Sequence, residues 1–284
     1  MVATGLALTI SSCGSPSPHK STANPPAGQT YVALGDSYTA FPGTTTQINS
    51  ACFRSSRNYP HLLAAALGYQ LIDESCSGAT TTNFTSAQNA STPAQFAALT
   101  DKTRLVTVSI GANDLQLSSL LLGGCVLLRD VPAAGNDPCE VRTFAEATHG
   151  LQLLEPTLVA TYQAVRAKAP NARVIVVGYP QILGTSGTCA AFPLATGDVT
   201  YVNAINTQLN AAIRRAAIAA QVEYLDITSA SMSHGICSRD PWINGIAPAV
   251  GRAFPAHPFA NEQQAVARLL EARLRTSSDP SPTS

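Results

Sequence analysis

Three polar residues that lie far apart in the chain have the side chains that acyl transfer requires. Ser37, in the motif GDSY, offers a hydroxyl as nucleophile, and His257, in AHP, offers an imidazole as general base. Asn113, in GAND, offers amide N–H groups that can stabilise an oxyanion. Each short motif alone is equally typical of a turn or a helix cap. The chemistry therefore depends on whether the fold brings these residues together.

A loop of small residues, SGAT at positions 77–80, lies between the first two of these motifs along the chain. Gly78 lets a backbone N–H approach a ligand closely, although an ordinary turn glycine would look the same. Among the five histidines, His257 is favoured because it precedes the last predicted helix, where a loop can return to the sheet. The others are interpreted as tether, packing or surface residues (His19, His61, His149) or as part of a cysteine-bearing segment (His234).

Two other hydrolytic chemistries lack the residues that they need. The chain contains no GxSxG motif, which the nucleophile elbow of the classical α/β-hydrolases requires. Its cysteines form no CxxC pair and do not combine with histidines at metal-ligand spacing. We therefore predict catalysis without a metal or cofactor.

Short apolar runs alternate with longer helical patterns along residues 30–275. The patterns predict strands at 31–34, 70–72, 105–110, 173–177 and 222–225, and helices at about 59–67, 151–168, 201–220 and 261–275. Continuous apolar strands separated by helices indicate a parallel sheet covered by helices on both faces. Ser37 and Asn113 follow the first and third strands, so both should lie at the carboxyl edge, where such sheets bind ligands.

The composition excludes some partners and fits one folded domain. The 284 residues have a formal net charge of zero and only 12% charged side chains, so no basic field would attract nucleic acid. Hydrophobic residues make up 45% of the chain, which is enough to bury a core without a metal. We expect a monomer.

The two ends of the chain differ in composition from the region between them. Residues 1–13 form a short apolar run ending at Cys13, which resembles a lipoprotein signal, so we expect an exported protein whose Cys13 carries a lipid and tethers it to a membrane. A chance cysteine in a disordered end is the alternative. Residues 14–29 are rich in Pro and Ser and are predicted to be a disordered tether, and residues 276–284 a disordered tail. Residues 30–275 would form the catalytic domain.

Six further cysteines indicate three disulfides in an exported chain. Several pairings are open. We favour the sequential one, because it joins neighbours along the chain and closes plausible surface loops (Cys52–Cys76, Cys125–Cys139 and Cys189–Cys237).

The motifs GDSY, SGAT, GAND and a late HP ahead of a final helix together resemble, in order, the four conserved blocks of the SGNH (GDSL) hydrolase superfamily. The resemblance spans about residues 30–275, and the cysteines with the segment SHGICSRDPWINGI resemble its secreted actinobacterial branch. It implies a three-layer α/β/α fold with sheet order 2-1-3-4-5 and ester hydrolysis. It also implies Ser37 as nucleophile, His257 as base, and an oxyanion hole formed by Ser37 N–H, Gly78 N–H and the Asn113 side chain.

The last block departs from the family pattern. The family usually has Asp three residues before the histidine, but this chain has Phe254 there. Some relatives use a backbone carbonyl instead, so we expect the carbonyl of Phe254 or Pro255 to accept the imidazole N–H and fix its tautomer. Asp226 is a less favoured alternative.

These observations predict an extracytoplasmic serine hydrolase that cleaves esters of lipids or other small lipophilic alcohols through an acyl-enzyme. Two alternatives stay open at this stage: an esterase that removes acetyl groups from cell-wall carbohydrate, and a noncatalytic envelope lipoprotein that binds lipid. The presence of all four motif residues argues against the second alternative.

Overall fold

The computed structural model describes residues 26–114, 116, 119–185 and 187–276. Its strands, numbered along the chain, are β1 (Thr30–Gly35), β2 (Gln47–Asn49), β3 (Arg54–Ser55), β4 (Gln70–Asp73), β5 (Thr103–Ser109), β6 (Arg173–Val177) and β7 (Glu223–Leu225). Its α-helices are α1 (Ser37–Ala40), α2 (Tyr59–Leu67), α3 (Cys125–Leu128), α4 (Pro138–Lys168), α5 (Asp198–Ala219), α6 (Thr228–Ser231) and α7 (Ala260–Thr276). Short 3₁₀ turns cover Thr81–Phe84 and Gln95–Ala98, and a π-type turn covers Ser119–Gly124.

Five strands form one parallel sheet in the order β4-β1-β5-β6-β7. Counted along the chain, this is the predicted order 2-1-3-4-5, so the predicted topology is confirmed. The strands β2 and β3 form a separate antiparallel pair. Because β1 lies between β4 and β5, its carboxyl end has neighbours on both sides.

Alternate strand residues face opposite layers of helices. Val32 and Val106 pack with residues of α4 and α5 in one buried cluster, whereas Tyr31 and Leu105 pack with residues of α2 and α7 in another. The result is the predicted three-layer α/β/α sandwich. Among the described residues, no helix is both long and apolar enough to cross a membrane.

The helix α4 is longer than its sequence pattern indicates. It begins at Pro138 rather than near Leu151, because proline is well suited to the first helical turn. The carboxylate of Asp198, from α5, accepts hydrogen bonds from the N–H groups of Cys139 (3.1 Å) and Glu140 (2.9 Å). This long-range cap replaces the local capping residue by which a sequence reading would find the start of the helix.

The ends of the domain also differ slightly from the sequence prediction. Residues 26–29 were assigned to the disordered tether, but they form a turn in which Gly28 N–H donates to Gly68 O (2.7 Å), and α7 extends to Thr276. The predicted signal segment with Cys13, the rest of the tether and the tail from residue 277 lie outside the described residues.

Three disulfides cross-link segments of the domain. They join Cys52 to Cys76, Cys125 to Cys139, and Cys189 to Cys237, which is the sequential pairing that the sequence favours.

Candidate active site

The nucleophile candidate Ser37 is the first residue of α1, directly after β1. Asp36 caps this short helix, and its carboxylate accepts the N–H of Tyr38 at 2.9 Å. Ser37 is only 6% exposed. The abrupt change from strand to helix therefore presents the serine at the carboxyl edge of the sheet, as predicted from the motif.

Gly35, which precedes this turn, is held from two sides. Its N–H donates to Gln95 Oε1 (2.8 Å), and Gln95 Nε2 donates to its carbonyl (2.9 Å). Its φ is +150°, and a Cβ there would lie 2.6 Å from Ser109 O and 2.5 Å from the Thr39 hydroxyl. Only glycine fits between β1, β5 and α1, so the first residue of the GDSY motif is required by packing.

The loop with Gly78 lies beside β1 because two kinds of bond hold it there. Cys76 N–H donates to Gly35 O (3.0 Å). A disulfide joins Cys76 to Cys52, and the N–H of the next residue, Ser77, donates to Cys52 O (3.0 Å). Gly78 has φ +78°, a conformation that favours glycine. Within the described part of the chain, the N–H groups of Ser37 and Gly78 donate no hydrogen bond.

The third motif, GAND, joins this loop through both of its polar side chains. Asn113 Nδ2 donates to Ala79 O at 3.0 Å, one residue after Gly78. The Asp114 carboxylate accepts the Thr81 N–H (3.0 and 3.2 Å) and also the Thr81 hydroxyl. The structure thus brings the three predicted oxyanion-hole residues to one edge, and Asp114 is a positioning residue that the sequence analysis did not identify.

The imidazole of His257 contacts a backbone carbonyl. Its Nδ1 lies 2.7 Å from Pro255 O. Because a carbonyl oxygen only accepts, Nδ1 must carry the proton, and Nε2 of the neutral ring is left with its lone pair. This is the tautomer that a general base needs.

Of the two carbonyls that the sequence offered as partners of the His257 ring, that of Phe254 does not contact the ring. Its carbonyl accepts the Asn244 side chain (3.0 Å) and the backbone N–H of His257 (3.3 Å) rather than the ring. The alternative acid, Asp226, accepts Thr228 N–H (2.8 Å) and Ser229 Oγ (3.1 Å) near the start of α6. Neither residue orients the imidazole.

Tyr38 connects the serine turn to the histidine loop. Its hydroxyl donates to Ala256 O (2.9 Å), and its ring centroid lies 6.0 Å from that of His257. In the described part of the chain no direct hydrogen bond joins Ser37 Oγ to His257. Catalytic hydrogen bonds are often long in ligand-free enzymes and tighten when substrate binds.

Tyr179 is a second positioning residue that the sequence analysis missed. Its hydroxyl donates to the Asp36 carboxylate and accepts the Ala112 N–H (3.3 Å), so it joins the GDSY and GAND motifs. Its ring packs edge-on against Tyr38 with centroids 5.3 Å apart. Its position in the sequence could have indicated it, since Tyr179 follows β6 at the same sheet edge as the candidate motifs.

The link from Tyr38 to the histidine loop gives a prediction about stability. Tyr38→Phe should destabilise the fold by about 1–3 kcal/mol, because the buried carbonyl of Ala256 loses its donor. Tyr162→Phe is the matched control: its hydroxyl is buried and has no hydrogen-bond partner among the described residues, so its removal should be neutral or stabilising. Urea unfolding measures both, and equal effects of the two substitutions would contradict the assigned role of Tyr38.

Within the described residues, no group of three or more His, Cys, Asp or Glu side chains is arranged to hold a metal ion. What the arrangement offers is a buried serine, a neutral imidazole of defined tautomer and backbone and amide donors at one sheet edge. This is the set of groups that acyl transfer uses.

Comparison with known proteins shows that the chain is similar to lipases and acylhydrolases. The GDSL-like Lipase/Acylhydrolase family model matches residues 33–271. Lipase 2 of Streptomyces coelicolor is 37% identical over 244 residues, covering 81% of this chain and 80% of the relative. Phospholipase A1 of Streptomyces albidoflavus NA297 is a solved structure that superposes with a TM-score of 0.75 and 32% identity, covering 87% of this chain and 100% of that chain.

A second solved structure, the extracellular lipase of Streptomyces rimosus, has a TM-score of 0.73 and 28% identity, again covering 87% of this chain and 100% of the other. The sequence motifs, the sheet order and the extent of these matches agree. The chain belongs to the GDSL-like lipase/acylhydrolase family, in its actinobacterial branch, and is a carboxylic ester hydrolase.

Proposed function

We propose that the protein hydrolyses lipid esters through an acyl-enzyme on Ser37. His257 Nε2 takes the proton of the Ser37 hydroxyl as its oxygen attacks the ester carbonyl, and the same proton passes to the departing alcohol. A water molecule, deprotonated by His257, then attacks the acyl-serine, and the proton held by His257 returns to the Ser37 oxygen as the acid is released. No redox or metal step is needed for this reaction.

The observation that carries this proposal is the contact of His257 Nδ1 with Pro255 O at 2.7 Å. It assigns the lone pair to Nε2, and the bond from the Tyr38 hydroxyl to Ala256 O keeps the same loop beside the serine turn. The carbonyl is a neutral acceptor, so it orients the ring but stabilises the imidazolium less than a carboxylate would.

The negative oxygen of the tetrahedral intermediate would be stabilised by the N–H groups of Ser37 and Gly78 and by the Asn113 amide. Ser37 N–H is at the start of α1, where the first N–H groups of a helix have no intrahelical partner. Donors that are held in place before the reaction need no reorganisation when the charge develops, which is why such sites are effective.

A lipid substrate is supported by the names of the relatives, which are lipases and a phospholipase A1. The likeness to an acetylxylan esterase, at 14% identity and a TM-score of 0.50, concerns the fold alone. We therefore prefer an acyl ester of a lipid over a carbohydrate acetyl ester.

A series of p-nitrophenyl esters of increasing acyl length, followed by emulsified lipids, tests this function. We expect hydrolysis of medium and long acyl chains and, after rapid quenching, a peptide with Ser37 heavier by one acyl group. Preference for acetyl esters alone would contradict the lipid assignment, and absence of the acyl-peptide from quenched burst-phase samples would contradict the covalent mechanism.

The pH dependence of kcat/KM should show that the neutral imidazole is needed. Burial disfavours the imidazolium and lowers the pKa of His257 from its usual 6.5, although the Pro255 carbonyl opposes this shift. A lowered pKa keeps the base neutral to lower pH, so the rate should fall on acidification with a midpoint below 6.5. Stopped assays of a soluble ester from pH 4 to 9 would measure the midpoint.

A control is needed because burial also raises the pKa of Asp36, to about 7. In Asp36→Asn that carboxyl no longer titrates, and the limb with a midpoint below 6.5 should persist. If the acid limb instead lies near 7 and disappears in this variant, the pH dependence belongs to Asp36 and the assignment to His257 is wrong.

We also propose an extracytoplasmic enzyme, since the chain has three disulfides and a solved relative is described as extracellular. Attachment through a lipid on Cys13 and a monomeric state remain proposals based on sequence alone. The intact mass of the protein purified from membranes would test whether Cys13 carries a lipid.

A further inference from the structure

A cleft of about 580 Å³ is lined by three arginines and by residues that are close in the chain to Ser37 and His257. Arg57 precedes α2, whereas Arg239 and Arg252 lie in the long segment between α6 and α7. All three are exposed. Three residues from distant parts of the sequence thus place positive charge in one concave surface of a protein whose formal net charge is zero.

These guanidinium groups are not used by the fold for ion pairing. In the described part of the chain, none of the three forms a salt bridge, while Arg252 lies over the ring of Phe259, 4.8 Å from its centroid. Stacking of this kind orients a guanidinium and leaves its N–H edge available. The fold therefore holds donors in the cleft without satisfying their charge.

One carboxylate, Asp240, also lines the cleft, but other residues engage it. Asn261 Nδ2 donates to Asp240 Oδ1 at 3.1 Å, and His234 Nδ1 lies 3.4 Å from Asp240 Oδ2. Three arginines against one aspartate leave the cleft positive. The hydroxyl groups of Thr44, Thr45 and Thr46 line it as well and can donate hydrogen bonds to an anion.

The cleft adjoins both halves of the proposed catalytic pair. Phe41, which forms part of its wall, directly follows α1, and its N–H donates to Ser37 O at 2.9 Å. One helical turn of this kind separates the two residues by about 6 Å, at 1.5 Å of rise per residue. On the other side, the wall residue Phe259 is two positions beyond His257.

We propose that the cleft formed by Arg57, Arg239 and Arg252 binds the phosphate group of a glycerophospholipid substrate. Guanidinium groups match phosphate oxygens in geometry as well as charge, and several of them converge here on one concave surface. In such a lipid the glycerol backbone connects the phosphate to the scissile acyl ester, so a phosphate held beside Ser37 would orient the ester. This inference rests on the proposed ester hydrolysis and specifies its substrate class.

The test compares two lipids that differ only in the phosphate. A short-chain phosphatidic acid and the diacylglycerol with the same acyl chains are given as substrates to the wild type, to Arg57→Gln/Arg239→Gln/Arg252→Gln, and to the matched control Arg142→Gln/Arg214→Gln/Arg268→Gln. The control removes three exposed arginines outside the cleft. The ratio of kcat/KM for the phospholipid to that for the diacylglycerol should fall about tenfold or more in the cleft variant only.

Inorganic phosphate distinguishes the two sources of this anion. If the substrate headgroup occupies the cleft, phosphate should raise KM for the phospholipid in the wild type and not in the cleft variant. Calorimetry measures phosphate binding by the wild type and by the cleft variant. If the cleft variant loses phosphate binding but keeps the wild-type ratio of kcat/KM values, the cleft is an anion site that holds free phosphate and not the substrate headgroup.

An unchanged ratio together with unchanged phosphate binding would overturn the proposal. Failure of the wild type to hydrolyse either lipid would contradict the proposed function itself, so the two failures are distinguishable. Thermal unfolding of each triple variant shows whether it is folded, and the single variants Arg57→Gln and Arg239→Gln repeat the comparison if a triple variant is not.

Discussion

Replacing Ser37 with alanine should lower kcat for ester hydrolysis by on the order of 10⁴-fold or more, with little change in stability. The reason is that the covalent step has no substitute nucleophile once the hydroxyl is gone, while substrate binding is retained. The serine begins α1 at the carboxyl edge of β1, and alanine removes only its hydroxyl oxygen. Steady-state kinetics on a p-nitrophenyl ester would measure the loss.

Ser86→Ala is the control for this substitution, because Ser86 is exposed and lies outside the proposed site. It should keep wild-type turnover. In addition, a fluorophosphonate should label the wild type at Ser37 and fail to label Ser37→Ala. Near-normal turnover by a folded Ser37→Ala protein would mean that another group performs the attack.

His257→Gln should lower kcat by on the order of 10³-fold or more while KM changes little. Glutamine preserves much of the side-chain volume but cannot take the proton from the serine at neutral pH. The effect should be close to that of Ser37→Ala and should not add to it in the double variant, since the nucleophile and its base act as a unit. Burst and steady-state kinetics on the same ester would provide both comparisons.

Two controls limit the interpretation of the His257 result. His149→Gln removes an exposed histidine on α4 and should have no effect. Asp226→Ala should retain most activity, because Asp226 accepts hydrogen bonds from Thr228 and Ser229 rather than from the imidazole. A loss in Asp226→Ala comparable to that in His257→Gln would show that an acid, and not the Pro255 carbonyl, supports the base.

The parallel sheet could be predicted because its central strands are apolar and most of its connections contain a recognisable helix, whereas the strand order was implied by the resemblance to the SGNH hydrolases. The connection between β4 and β5 is an exception, because it contains only two short 3₁₀ turns. Runs such as 105–110 and 173–177 are buried on both faces and leave little choice of secondary structure. The helix α4 was predicted too short because the residues that begin it have a weak apolar pattern and are capped by Asp198 from another helix. Local sequence patterns contain no information about a capping residue that comes from another helix.

The residues of the proposed site were predictable to different degrees. Ser37 and Asn113 follow strands directly, so strand prediction alone places them at one edge. His257 lies in a loop of irregular structure, and its position there depends on long-range bonds such as that from Asn244 N–H to His257 O (2.9 Å). Tyr38 and Tyr179 were missed because their roles consist of contacts with residues far away in the sequence.

Apolar periodicity and short motifs were enough to predict the layer architecture, the family and the chemical identity of the candidate groups. The packing of the folded chain decided which carbonyl contacts the His257 ring, since Phe254 and Pro255 are neighbours and their backbone directions are set by the surrounding loops. It also decided that Arg57, Arg239 and Arg252 share one cleft. Such convergence depends on how distant segments pack, and no local property of the chain encodes it.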